Sequence, residues 1–250
     1  MRQNPAQNTG GSRVHVYDVV RGFSVISMVL FHLCYDLKFI LGMNLGWFAP
    51  PFQDIWRASI SWVFVFVAGC MYAYSRDNLR RSAKYLLVAL VIYVATTVTS
   101  VDDPINFGII YCMGACTLTT WAMDRMGIRL RGPIAGTVCA VLFVLFLPLA
   151  SGHLGIGGLV VDVPPVLYST PWLNWLGLPG PGFISADYYP LLPYLLLYLV
   201  GANIGTHWKE SGMPAVLQNV AFEPLEIVGR LALPIYVLHQ PVLLLLLGAF

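Results

Sequence analysis

Charge is what this chain has least of. Only 10% of its 250 residues are Asp, Glu, Lys or Arg, against 58% hydrophobic residues, and the mean hydropathy is +0.72. A soluble domain carries about 25% charged residues because its surface must be hydrated. A soluble fold is therefore excluded, and a single integral membrane domain over residues 1–250 is the simplest organisation. No basic block lies in a polar region, which removes nucleic acid as a partner. Cysteine is sparse as well: Cys34, Cys70, Cys112, Cys116 and Cys139 all fall in apolar segments. Only Cys112 and Cys116 lie one helical turn apart, with no His or second Cys pair beside them. Small buried hydrophobes are expected there, and no metal centre. The polar start MRQNPAQNTGGSR has no small-residue cleavage site after it, and Asp18 and Arg21 interrupt the apolar run that follows. That pattern fits an uncleaved first span better than a removed leader.

What is present is a series of apolar segments. A membrane helix needs about 20 mainly apolar residues. Seven segments qualify, at about 19–41, 55–75, 84–101, 105–123, 133–150, 190–206 and 225–249. Proline and glycine punctuate the gaps, as in FAPPF, DDP and RGP. The expected fold is an all-α integral membrane bundle of about seven transmembrane helices. Lys and Arg set its orientation. Arg2, Arg13, Arg21, Arg76, Arg80, Arg81, Lys84, Arg125, Arg129, Arg131, Lys209 and Arg230 all fall on one side; only Lys38 and Arg57 break the bias. The N-terminus, with a polar tail over 1–16, is expected in the cytoplasm and the C-terminus outside. The segment 151–189 has no Lys or Arg and is rich in Gly and Pro. It reads as an extracytoplasmic loop, either an interfacial cover anchored by Trp172 and Trp175 or a lid over a site.

The scarce charges are not scattered. Arg21 and His32 are eleven residues apart in RGFSVISMVLFH, three helical turns or about 16 Å of rise. They share one helix face, which Asp18 and Asp36 extend. Ionisable groups at membrane depth are costly unless they are paired or face a wet cavity, so this stripe is expected to face protein. Counting outward from Trp47 puts Arg57 at the height of Asp36. The two are expected to form an ion pair, or Asp36 is expected to orient His32 as a base. In GRLALPIYVLHQP, His239 reaches a depth comparable to His32. These residues suit an enzyme and equally a proton-coupled transporter using His32, Asp36, Arg57 and His239. A retinal-type receptor is disfavoured, because the seventh segment has no lysine for a Schiff base.

The Arg21-to-His32 pattern resembles the transmembrane acyltransferase superfamily. YDVVRGFSVISMVLFH, SWVFVFVAGCMYAYSR, INFGIIYCMGACTL, YYPLLPYLLLYLVGANIG and GRLALPIYVLHQPVL, taken in order, resemble its heparan-α-glucosaminide N-acetyltransferase-like branch. The resemblance implies a multi-pass enzyme, compatible with a bacterial cytoplasmic membrane and with a homodimer. It would move an acetyl or similar group from cytoplasmic acyl-CoA to a hydroxyl or amine of an extracytoplasmic glycan or glycolipid. His32 would serve as base or acyl carrier, alone or with His239, and Asp36 would assist. Arg21, Arg76, Arg80 and Arg81 would hold the phosphates of acetyl-CoA. Arg57 and Asn106 would face the acceptor. Asn203, like Asn106, is alternatively a simple bond between helices.

Overall fold

A computed structural model describes residues 14–248; the tail with Arg2 and Arg13 lies outside the described residues. The chain is mostly helical. In order, α1 spans His15–Tyr35, α2 Phe52–Cys70, α3 Asn78–Thr99, α4 Ile109–Arg125, α5 Pro133–Phe146 and α6 Leu191–Ser211. The short α7 (Ala215–Gln218) leads into α8 (Glu223–Arg230) and α9 (Ala232–Leu247). Each apolar segment of the sequence coincides with a helix. The purely helical expectation misses one detail. The connection between α5 and α6 contains an antiparallel hairpin, β1 (His153–Ile156) and β2 (Leu159–Asp162).

Among the described residues, three helical stretches are long and apolar enough to cross a membrane: His15–Ile40, Asn78–Thr99 and Pro133–Ser151. The pair α8 and α9 would make a fourth if it counts as one bent span. Position in the bundle explains why the others fall short. The window of α3 is only 6% buried, so nearly all of it must be apolar to face lipid. Helices α2, α4 and α6 pack against one another in the centre. They supply much of the principal core, including Phe64, Val65, Cys112, Met113 and Tyr198. Shielded from lipid on several sides, they tolerate polar residues.

Glycine sets how close the central helices come. A Cβ at Gly201 or Gly205 of α6 would collide with the α2 carbonyls of Phe66 or Cys70, and one at Gly69 of α2 with the carbonyl of Tyr198. The spacing GANIG in α6 is the small-xxx-small pattern that lets two backbones touch.

The last segment is not the straight span that its length implies. Helices α8 and α9 meet at 77°. Pro234 accounts for the break, because its ring clashes with the carbonyl four residues earlier, that of Arg230, the last residue of α8. At the far end of α1 the helix continues as a π-helical turn, Asp36–Ile40. Asp36 is fully buried there. Its two carboxylate oxygens accept from the Gln240 side-chain nitrogen at 2.9 and 3.1 Å. This bond ties α1 to α9 one residue beyond His239. Asp36→Ala leaves the Gln240 amide buried without its acceptor, so a loss of about 1–3 kcal/mol is expected. Denaturant or thermal unfolding in detergent measures it, and Asp36→Asn recovers part of the loss.

Candidate functional site

The stripe on α1 faces protein as expected. Asp18 and Asp36 are buried, and the Arg21 guanidinium donates to Asp18 and, at 3.2 Å, to Met71 Sδ. His32 and His239 come together across α1 and α9, with ring centroids 4.8 Å apart in an edge-to-face arrangement. The two imidazoles differ in their bonding. His239 Nδ1 lies 2.6 Å from the Tyr236 carbonyl oxygen. A carbonyl oxygen can only accept, so Nδ1 carries the hydrogen and Nε2 of the neutral ring holds a lone pair. That Nε2 is buried and has no hydrogen-bond partner among the described residues.

Two expectations are corrected. Asp36 does not pair with Arg57 and does not orient His32; it is held by Gln240. Arg57 instead donates to Asp54 at 3.2 Å, with both side chains more than half exposed. Helical counting places Asp36 and Arg57 at one height but not on facing sides of their helices.

A cavity of about 860 Å³ opens among Arg21, Arg80, Arg81, Lys84 and Arg230, and its wall continues over Phe64, Met113 and Leu233 to Tyr236. Among the described residues, five cations stand at one end of this cavity, with Asp77 the only acid on its wall. Asp77 is occupied as the N-cap of α3, accepting from the Arg80 backbone N–H at 2.9 Å. Arg21, Arg80 and Arg81 are thus brought together as expected. Arg76 is not: it is exposed and off the cavity wall. Lys84 and Arg230 replace it. The signal for Lys84 was its four-residue spacing from Arg80, which puts both on one face of α3. Arg81 is anchored by a bond to the Ala68 carbonyl at 2.9 Å.

A second, smaller cavity of about 170 Å³ lies beside the start of α4, lined by Tyr93, Asn106, Phe107, Tyr111 and Tyr236 among others. The two cavities share Ile110 and Tyr236. Neither is lined by the imidazoles. The ring of Tyr236 lies 5.7 Å from the ring of His239, one turn along α9.

The connection between α5 and α6 is stitched to this place. Asn106 N–H donates to Ser185 Oγ at 3.0 Å, and that hydroxyl donates back to the Asn106 carbonyl at 2.8 Å. Tyr189 N–H donates to the Phe107 carbonyl at 2.8 Å. Phe107 has φ +59°, a strained conformation for a bulky residue that persists only when its surroundings fix it. Asp187 Oδ2 accepts from the Ile109 N–H at the start of α4, at 3.1 Å. Gly108 makes room, since a Cβ there would stand 2.9 Å from the same oxygen. Asp187 lies outside the helical spans. Burial pushes its carboxyl up to about 6, against the opposing effects of the Ile109 N–H, the Arg57 charge and the Tyr236 hydroxyl. Sequence reasoning missed Asp187, Tyr189 and Tyr236. The hint for Asp187 was an acid directly ahead of the apolar run YYPLLPYLLL. By contrast, Asn203 is a structural bond, donating to Leu130 O at 2.7 Å and Leu199 O at 3.1 Å.

The sequence pattern of the family described as "Heparan-alpha-glucosaminide N-acetyltransferase, catalytic" matches residues 13–241. The chain belongs to this family. No curated protein and no solved structure matches it significantly. Membership makes the chain a transmembrane acetyltransferase-type domain, and its long apolar helices agree with a multi-pass membrane protein.

Proposed function

We propose that this protein transfers an acetyl or similar acyl group from cytoplasmic acyl-CoA to a hydroxyl or amine of a glycan or glycolipid on the other side of the membrane. The observation that carries this reading is the large cavity, cationic at one end and walled by apolar side chains up to Tyr236. In the orientation set by Lys and Arg, all seven helical segments cross, and the cationic end faces the cytoplasm. The diphosphate and 3′-phosphate of the donor bind Arg21, Arg80, Arg81, Lys84 and Arg230, where guanidinium forks match phosphate oxygens. The pantetheine arm follows the apolar wall toward Tyr236. The acyl group then stands one helical turn from His239, whose Nε2 lone pair serves as base or acyl carrier. His32 packs its ring edge against that imidazole and holds it in place. The acceptor approaches from the smaller cavity, where Asn106 and three tyrosines offer polar and aromatic contacts.

The test is release of coenzyme A from acetyl-CoA by purified protein, combined with mass spectrometry of envelope glycans with and without the gene. Failure to release coenzyme A, together with an unchanged glycan profile, removes the reading. Charge-assisted hydrogen bonds are worth about 1.5–3 kcal/mol each. Arg80→Ala and Lys84→Ala are therefore expected to raise the KM for acetyl-CoA by about 10- to 100-fold with little change in kcat. Arg76→Ala is expected to leave KM unchanged. A KM shift that follows Arg76 instead would place the phosphates elsewhere.

A further inference from the structure

Both cavities lie between α3 and α9. The large one takes Ala83, Lys84 and Leu87 from α3 and Ala232, Leu233 and Tyr236 from α9. The small one takes Leu90 and Tyr93 from α3 and the same Tyr236. Helix α3 packs on α4, whereas α9 packs on α1 and α8, so the cavities separate two sides of the bundle. Leu87 and Leu90 line them and yet are 62% and 57% exposed. A side chain that is both wall and surface stands at a mouth. We propose that the acceptor is a sugar carried on a membrane lipid, which enters the small cavity sideways between α3 and α9 while its hydrocarbon tail stays in the bilayer against Leu90. The proposal rests on the acyl-transfer reading and narrows its acceptor to a glycolipid.

Depth decides what lies outside this mouth. Helix α3 begins at Asn78, and Leu90 stands twelve residues further on, about 18 Å of rise. The hydrocarbon of a bilayer is about 30 Å thick, which puts Leu90 near its middle whichever end of α3 is inside. The membrane-spanning window of α3 is only 6% buried, so the mouth opens on hydrocarbon. A hydrated polysaccharide does not cross that region, because its hydroxyls would lose water without gaining partners. A lipid is already there.

Size and polarity agree. The small cavity, about 170 Å³, is below the ~300–1,000 Å³ that encloses a drug-sized ligand. One sugar ring fills it, and the rest of the acceptor remains outside. At the turn before α4, Asn106 bonds Ser185 through its backbone alone among the described residues. Its side-chain amide therefore has donors and an acceptor for sugar hydroxyls. Phe107 and Tyr111 pack edge to face with centroids 4.9 Å apart and give the ring an apolar surface. Toward the middle of α3 the wall becomes Ala89, Leu90 and Ile92, which suits the first methylenes of a tail. Sugar at the turn and tail toward midplane is the order of a lipid in its leaflet. In the transfer, the acyl carbon leaves the thioester sulfur, directly or by way of His239, and bonds the sugar's oxygen or nitrogen. The proton of that nucleophile ends on the coenzyme A thiolate.

For the test, the full chain is placed in nanodiscs of phosphatidylcholine with a diazirine at the end of one acyl chain, and photolabelled residues are mapped by mass spectrometry. Label is expected on the exposed Val91 and Val94 of α3. It is also expected on Ile110 of α4, which is 3% exposed and lines both cavities, so that only a chain inside the cleft reaches it. Leu90→Trp fills the mouth and lowers the labelling of Ile110 several-fold. Val91→Trp, at the same depth but off both cavities, leaves it unchanged, and melting temperatures confirm that both variants fold. In membranes from the protein's own source, radiolabel from acetyl-CoA is expected in the chloroform–methanol extract. Label on a water-soluble polysaccharide overturns the proposal, as does an Ile110 that stays unlabelled or is labelled equally in Leu90→Trp. Val91 and Val94 left unlabelled place a second copy of the chain over α3 and overturn it too. Labelled Ile110 in a protein that releases no coenzyme A overturns the acyl-transfer reading instead.

Discussion

His239→Ala is expected to lower acyl transfer by about 100- to 10,000-fold, the usual contribution of a positioned proton-transfer group, while leaving the bundle folded. The case rests on one bond. With Nδ1 committed to the Tyr236 carbonyl at 2.6 Å, the ring cannot flip without breaking it, and the free lone pair is fixed on Nε2. That atom is buried with no protein partner among the described residues. The packing uses Nδ1 alone and leaves Nε2 for the proposed reaction. His32 is placed differently. It touches His239 edge to face and lies beside Phe31, with ring centroids 5.9 Å apart, so its contribution is to hold the ring it leans on. His32→Phe keeps an aromatic edge and is expected to retain more activity than His32→Ala. Initial rates of coenzyme A release, with melting temperatures to confirm folding, make the comparison. A larger loss in His32→Ala than in His239→Ala would move the reacting role to α1.

How much of this was legible in the sequence depended on what each inference required. Depth along a helix follows from counting residues, because the rise per residue is fixed. That is why His32 and His239 could be placed at one level on two helices, and why the Arg21 stripe could be sent inward. Azimuth does not follow from counting. Asp36 and Arg57 were matched in height by the same arithmetic, yet α2 turns Arg57 away toward Asp54 while α1 turns Asp36 onto Gln240. The cations of the large cavity were half legible. Arg80 and Arg81 stood out as a cluster, but separating the cavity-facing Lys84 from the exposed Arg76 required knowing where α3 begins, which its Asp77 cap decides.

The bend between α8 and α9 was written in Pro234, whose ring forbids the helical path of Arg230 four residues earlier, but an apolar run of adequate length masks such a break. Asp187 was the least legible of all. It sits in an aperiodic connection, and its partner Ile109 is 78 residues away. Only the fold could show that Gly108 leaves space for it. The residues that place it, Ser185 and Tyr189, act through backbone bonds to the turn before α4, and no side-chain pattern announces such bonds.

Gly201→Leu is expected to destabilise the bundle by about 3 kcal/mol or more, at the top of the range for overpacking, and to lower the melting temperature by about 10 °C. Overpacking is usually moderate because side chains rotate away. Here they cannot, because the atoms that a Cβ on Gly201 would strike are backbone: the Phe66 carbonyl and the Cys70 nitrogen. Relief requires α2 and α6 to separate, which also opens the approach of Gly69 to Tyr198 and of Gly205 to Cys70. Gly158→Ala is the matched control; a Cβ there meets nothing within 4 Å, and thermal unfolding in detergent should find it neutral. The effect also reaches the donor site. Phe64 and Ala68 of α2 line the large cavity, and Arg81 is anchored to the Ala68 carbonyl. A shift of α2 therefore loosens a cation of the proposed phosphate site, and a milder Gly201→Ala variant should raise the KM for acetyl-CoA before it unfolds the protein. If Gly201→Leu melted like wild type, the close crossing of α2 and α6, and with it the wall of the cavity, would have to be redrawn.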